Sequence, residues 1–291
     1  MIEWTGVRGK RVLITGATRG IGLAAAVALA RKGAHIAIVA RDDARAADAA
    51  RRIEAAGGPE VVVLHADLTS QESVRALAAD ALERLPTIEV LVNNAGAIFD
   101  TRTVTVDGIE RTWALNHLAP FLLTTLLMDR LKTSAPARII TTTSDAHKGK
   151  LIPFDDLNAE RSYRGRGFTR YGETKLANIL FTVELARRLE GTGVNAYCFH
   201  PGVVSTGFNR NNGFLMSASM AIIAPFSRSP EKGARTLVWL ADSTDVSAQS
   251  GGYYLNGARG VPSRPAQDAA IARRLWEVSE EQVSQTATTG S

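Results

Sequence analysis

The chain has 291 residues, 45% hydrophobic and 22% charged, an ordinary globular composition with room for one large domain or two modest ones. Its single cysteine excludes an intramolecular disulfide framework and a cysteine-based metal site, and no metal ligands are expected. A net charge of +5, from 34 basic and 29 acidic residues scattered in ones and twos, does not mark a nucleic-acid binder. The opening MIEWTGVRGK lacks the apolar stretch of a signal peptide. The longest apolar segments are 113–128, which is interrupted by polar residues, and 214–226, which falls short of the ~20 residues a spanning helix needs. A soluble cytoplasmic protein is the expectation.

Short β-branched runs alternate with longer Ala/Leu/Arg segments of helical period from the start. RVLIT at 11–15 reads as a buried strand, and 22–32 as a helix stopped by Gly33. A strand at 35–40 follows, with Asp42 placed to cap a helix at 43–56 that ends on Gly57-Gly58. Next come a strand at 61–65 and a helix at 70–85, with Ser70 or Thr69 as its cap and Pro86 beyond it. A strand at 89–93 precedes a long helix over 109–132, and a strand at 138–142 precedes another over 169–189. A strand at 195–200, a helix at 230–240 and a short strand at 252–255 complete the series. Continuous apolar strands separated by helices predict an α/β fold: a single doubly wound Rossmann domain, its parallel seven-stranded sheet covered by helices on both faces. No linker or repeat divides the chain, so one dinucleotide-binding and catalytic domain is expected over 1–283, with 284–291 as a frayed tail.

The first strand runs directly into Thr15-Gly16-Ala17-Thr18-Arg19-Gly20-Ile21-Gly22 and then a helix. Glycines at such a turn let a pyrophosphate approach the backbone, and the helix start offers free N–H groups with the positive end of its dipole. The spacing is G-x-x-x-G-x-G rather than G-x-G-x-x-G. At the end of the second strand, an acid would bind the adenosine ribose and repel a 2′-phosphate. Here Ala40 and Arg41 stand instead, and Arg19 lies in the loop, so two guanidiniums favour NADP(H) as cofactor.

With these features go Asp67-Leu68, Asn93-Asn94-Ala95-Gly96, Asn116, Ser144, Tyr171-x-x-x-Lys175 and Pro201-Gly202. In this order over nearly the whole chain, they strongly resemble the short-chain dehydrogenase/reductase superfamily. LNHLAPFLLT at 115–124, YGETKLANILFTVELARRLEGTGV at 171–194 and HPGVV at 200–204 resemble its retinol-dehydrogenase-like branch. That branch includes WW-domain oxidoreductases and resembles light-dependent protochlorophyllide reductases. The resemblance implies that Gly16, Thr18, Arg19, Gly20, Ile21 and Gly22 hold the cofactor, together with Arg41, Asp67 and Leu68. Asn93, Ala95 and Gly96 would lie on its adenosine side, with Asp67 at the adenine amino group. Pro201, Gly202 and Val203 would frame the nicotinamide, with Thr206 near its carboxamide or the pyrophosphate. Asn116, Ser144, Tyr171 and Lys175 would form the catalytic tetrad, and the two long helices would form subunit contacts of a homo-oligomer.

Tyr171 and Lys175 are four apart on a helix and therefore share a face. A free tyrosine titrates near ~10, and a neighbouring ammonium with an oxidised nicotinamide would stabilise its phenolate. Tyr171 would then exchange a proton with the substrate oxygen as hydride moves, while Ser144 hydrogen-bonds that oxygen. Lys175 would also hold the nicotinamide ribose, and Asn116 would bend its helix around a proton-relaying water. Twenty-seven positions separate Ser144 from Tyr171, a long interval for the superfamily but usual in this branch. The extra segment is 148–166. In the run TTTS at 141–144, Ser144 is taken as the catalytic hydroxyl over Thr143. His147 reads as a wall residue, and Cys198 as a small buried apolar one.

Residues 203–229 carry Phe208, Phe214, Leu215, Met216, Met220, Ile222, Ile223 and Phe226, with almost no charge over 213–226. An apolar lid over a lipophilic substrate, a helix packed on a partner subunit and shallow membrane contact are the three readings of this stretch. The function expected is an NADP(H)-dependent oxidoreductase interconverting an alcohol and an aldehyde or ketone. The alternatives are a C=C reductase using the same Tyr171 and Lys175, or an NADPH-binding regulatory protein of low turnover. A lyase that dispenses with cofactor usually loses the glycine loop and the lysine, and both are present here.

Overall fold

The computed structural model describes residues 3–202, 229–245 and 249–284. Strands β1 (Arg11–Thr15), β2 (His35–Ala40) and β3 (Val62–His65) alternate with helices α1 (Gly20–Arg31), α2 (Asp43–Glu54) and α3 (Gln71–Arg84). Strand β4 (Val90–Asn93) leads to α4 (Arg111–Trp113), a π-helical turn (Ala114–Leu118), α5 (Ala119–Leu126) and α6 (Met128–Thr133). Then come β5 (Ala137–Thr142), a 3₁₀ turn (Asp145–His147), α7 (Phe168–Arg188), β6 (Val194–His200) and α8 (Pro230–Asp242). Strands β7 (Tyr253–Leu255) and β8 (Ala258–Arg259), a second 3₁₀ turn (Arg264–Gln267) and α9 (Ala269–Ser284) follow.

The sheet order is β3-β2-β1-β4-β5-β6-β7-β8. All pairings are parallel except the last, between β7 and β8. The chain order reverses between β1 and β4, and in open α/β sheets the carboxyl ends of strands at such a reversal border a ligand crevice. Burial on both faces explains the unbroken apolar strands. In β1, Val12 and Ile14 enter the core layer beneath α1 and α8, while Leu13 enters the layer formed with α3, α5 and α7. Asp42 caps α2 by accepting from the Arg45 N–H, and Ser70, rather than Thr69, caps α3.

Three features differ from the sequence expectation. The sheet has eight strands among the described residues, because Asn256 (φ 53°) and Gly257 (φ 75°) turn the chain back in the left-handed region and add two residues antiparallel to β7. The continuous helix expected over 109–132 is instead α4, the π turn, α5 and α6. Pro120 has no N–H for the Asn116 carbonyl four residues back, and its ring crowds that carbonyl, so the turn widens. Helix α9 was not anticipated. Its buried Ala272, Leu275, Trp276, Ser279 and Val283 fall at helical spacing, and Asp268 accepts from the Ala270 and Ile271 N–H groups at its start. This helix covers α5 and α7, with Trp276 edge-on to Phe121 at 4.9 Å and stacked on Phe181 at 5.9 Å. Among the described residues, no helix is long and apolar enough to cross a membrane.

Candidate active site

The glycine loop is locked to the exit of β4. The Thr15 hydroxyl accepts from the backbone N–H groups of Asn94 and Ala95, and donates to the Val92 carbonyl. The Asn94 side chain donates to the carbonyls of Thr15 and Gly16. A Cβ on Gly22 would lie 2.3 Å from the Gly16 carbonyl oxygen and 2.6 Å from Asn94 Nδ2, so the first turn of α1 closes on the loop only as glycine. Unlike α2 and α3, helix α1 has no side-chain cap at its N-cap residue, Arg19, and no acid in its first turn. A helix start left in this way suits an anion, and a pyrophosphate fits here without displacing a carboxylate. Thr18, Arg19, Gly20 and Ile21 form this rim.

Arg41 follows the carboxyl end of β2, more than half exposed, with Nη1 4.0 Å from Asp67 Oδ1 beyond β3. Asp67 accepts from the Thr69 N–H and hydroxyl. Burial alone would raise its carboxyl, but these bonds and Arg41 leave it below the usual range. The Leu68 side chain belongs to the core. The Asn93 side chain turns inward and donates to Thr124 Oγ1, so its neighbours Asn94, Ala95 and Gly96 form the surface of the crevice. Gly96 lies beside Asn116 and Lys175, since a Cβ there would stand 3.1 Å from Asn116 Oδ1 and 3.5 Å from Lys175 Nζ. Pro201 and Gly202 follow β6 at the same edge of the sheet; Val203, Thr206 and nearly all of the 203–229 stretch lie outside the described residues.

The four tetrad positions converge. Ser144 follows β5, and its hydroxyl hydrogen-bonds the Tyr171 hydroxyl. Thr143 is committed elsewhere, since its hydroxyl donates to the Lys175 carbonyl at 2.8 Å. Gly172 lets α7 close on the turn after β5, because a Cβ there would lie 2.5 Å from the Ala146 carbonyl oxygen. Ser144 is also gripped through its backbone: His147 Nδ1 lies 2.7 Å from the Ser144 carbonyl, and His147 Nε2 accepts from the Ser263 N–H. His147 is therefore a wall residue, as expected, held as the Nδ1–H tautomer. Among the described residues no cluster could hold a metal ion.

Lys175 Nζ sits 5.3 Å from the centre of the Tyr171 ring and donates to the Thr142 carbonyl at 3.1 Å. Burial pushes Lys175 down to about 8 and Tyr171 up to about 12, the Ser144 hydrogen bond only partly opposing the latter. The expected depression of the Tyr171 hydroxyl is thus not a property of the chain alone, where desolvation of the phenolate outweighs the Ser144 hydrogen bond. Asn116 is wholly buried in the π turn. Its Oδ1 accepts from the Ala97 N–H, and its Nδ2 donates to the Ala97 carbonyl and to Thr174 Oγ1.

Sequence reasoning passed over several residues that build this site. Asn94 ties the glycine loop, and Thr174 and Asn178 face Asn116 from α7. Positions 171, 174, 175 and 178 form a polar stripe one helical face wide, a spacing that was legible. Arg170 and Glu110 form a buried pair at 2.7 Å, and Arg170 also donates to Glu173 and to the Leu157 carbonyl while lying over Trp113.

A doubly wound sheet, a glycine loop at the reversal point and a Ser/Tyr/Lys/Asn cluster beside it define an oxidoreductase that uses a nicotinamide dinucleotide. The profile of the short chain dehydrogenase family matches residues 10–213, and this chain belongs to that family, acting on CH–OH and C=O groups. It is 43% identical over 288 residues to retinol dehydrogenase 14 of Mus musculus, covering 94% of this chain and 86% of that one. It is 42% identical over 282 residues to a Streptomyces (strain C5) protein named as a candidate daunorubicin C-13 ketoreductase, covering 97% and 95%. Among solved structures, the Pseudomonas aeruginosa RhlG/NADP active-site complex superposes with a TM-score of 0.68 at 29% identity, covering 94% of this chain and 100% of that one.

Proposed function

We propose that this protein is an NADP(H)-dependent oxidoreductase that interconverts an alcohol and an aldehyde or ketone on a lipophilic substrate, with residues 1–283 working as one domain. The observation that carries the reading is the half-buried Tyr171, its hydroxyl bonded to Ser144 and the Lys175 ammonium beside its ring. A bound nicotinamide supplies the hydride in reduction and accepts it in oxidation. Tyr171, protonated at neutral pH, donates its proton to the substrate carbonyl oxygen and recovers it in the reverse direction. Ser144 donates a hydrogen bond to the same oxygen as charge develops there. Lys175 keeps a positive charge near the phenolate that results and is placed to meet the nicotinamide ribose hydroxyls. Asn116 ties the turn at Ala97 to Thr174, on the helix that carries Tyr171 and Lys175.

The glycine loop and the start of α1 would hold the pyrophosphate, Asp67 the adenine side, and Arg41 with Arg19 a 2′-phosphate. The NADP complex of the RhlG relative supports this choice. A lipophilic carbonyl substrate is supported by the names of the retinol dehydrogenase and ketoreductase relatives and by the uncharged run 213–226. Oxidation of NADPH and NADH by the purified protein, with a panel of retinoid, steroid and quinone carbonyls, tests the reading. Selective NADPH turnover is expected. Tyr171→Phe should lower it by about 10²–10⁴-fold with NADPH affinity retained, and Arg41→Ala should weaken NADPH, but not NADH, by roughly tenfold. Turnover that survives Tyr171→Phe, or a preference for NADH, would overturn it.

A further inference from the structure

The carbonyl of Asn116 cannot receive an α-helical hydrogen bond, because the residue four positions on is Pro120. A buried carbonyl without a donor is costly, and in the widened turn another group must serve it. That group is Asn178, whose Nδ2 donates to the Asn116 carbonyl at 2.9 Å and reaches the Thr142 carbonyl at 3.4 Å. The Thr142 carbonyl is also the acceptor for Lys175 Nζ. One buried amide therefore touches the backbone of Asn116 and the anchor of Lys175. Because both partners are carbonyls, the amide nitrogen must face them. Its oxygen faces His117 Nδ1 at 3.4 Å, and His117 Nε2 lies 2.9 Å from Ser279 Oγ on α9.

We propose that Asn178 is a positioning residue of the reaction: it fills the hydrogen bond that Pro120 denies to Asn116 and, through the Thr142 carbonyl they share, sets where the Lys175 ammonium lies. The proposal rests on the oxidoreductase reading above. Asn178 touches neither substrate nor cofactor in this account. It acts on chemistry by fixing Lys175, which meets the cofactor in that account, and the Asn116 turn beside it, and a misplacement of about 1 Å in such a group can cost ~10²-fold in rate.

The test is a double-mutant cycle between Asn178→Leu and Pro120→Ala, read in kcat, in KM for NADPH and in the thermal midpoint. Alanine at 120 restores the missing N–H. Asn178→Leu alone should lower kcat by at least about tenfold and change KM for NADPH less than about threefold. In the double variant, Pro120→Ala should return much of that loss in both kcat and midpoint. Asn178→Ser, which keeps one donor, should fall between wild type and Asn178→Leu and stands in for it should the leucine variant not fold. Strictly additive effects of the two substitutions, or wild-type kcat in a folded Asn178→Leu, would overturn the proposal. A wild-type protein that binds NADPH but reduces no carbonyl would instead overturn the carbonyl-reduction reading, and the cycle in thermal midpoint would still decide whether Asn178 serves the Asn116 carbonyl.

Discussion

At the scale of single residues, burial moves Tyr171 and Lys175 in opposite directions, to about 12 and about 8. The phenol is therefore protonated throughout the working range, while the ammonium is held below about pH 8 and lost as pH rises through that value. Carbonyl reduction requires both protons in place. The value of kcat/KM for the carbonyl substrate, at saturating NADPH, should be level below about pH 7 and fall with a slope of one proton above about 8. Lys175→Arg, which keeps its charge, should remove that limb even if the plateau drops. A wild-type profile level to pH 10 would contradict the assignment. The shared face of Tyr171 and Lys175 was readable from their spacing, whereas the role expected of Ser144 came from the family resemblance. The direction of the Tyr171 shift was not readable, because it depends on how completely α7 packs against the turn after β5, and a string of residues carries no such burial.

At the scale of elements, α7 and the segment holding Asn116 are joined by a buried ion pair one residue before Tyr171. Glu110 accepts from the N–H groups of Thr112 and Trp113 at the start of α4 while Arg170 binds it from α7. Arg170 also reaches the Leu157 carbonyl, and Tyr163 donates to the Phe99 carbonyl at 2.7 Å, which ties down the long segment between Ser144 and Tyr171. Replacing Arg170 by Met leaves a wholly buried carboxylate facing an apolar chain. Urea unfolding should show a loss of about 3–5 kcal/mol, the range for breaking a buried pair from one side, with reduced kcat because Tyr171 is adjacent. A loss below about 1 kcal/mol would show that the pair does not clamp the two elements. The length of that inserted segment was evident in the sequence, but its anchor was not, since Arg170 and Glu110 lie sixty positions apart. The broken helix at 114–118 was foreshadowed by Pro120, whose effect on Asn116 is a matter of counting four residues back.

At the scale of the whole molecule, the order of strands and helices along the chain followed from the alternation of apolar runs with helical segments, whereas the reversal between β1 and β4 that borders the crevice is a property of the sheet order. The eighth strand was signalled by Asn256-Gly257, a pair that favours a tight hairpin but joins strands too short to show an alternating pattern. Helix α9 had a readable apolar stripe. Its consequence was not readable, because only packing reveals that it covers α5 and α7, the helices that the family resemblance assigns to subunit contacts. A homo-oligomer built on that face would require α9 to move aside. The proposed reaction puts hydride transfer at a carbonyl carbon and proton transfer from Tyr171 at its oxygen. The most direct test is to incubate the protein with NADPH and a lipophilic α,β-unsaturated ketone and to identify the product by NMR. An allylic alcohol, absent with Tyr171→Phe, is the predicted result. A saturated ketone would contradict carbonyl reduction and assign the same residues to a C=C bond.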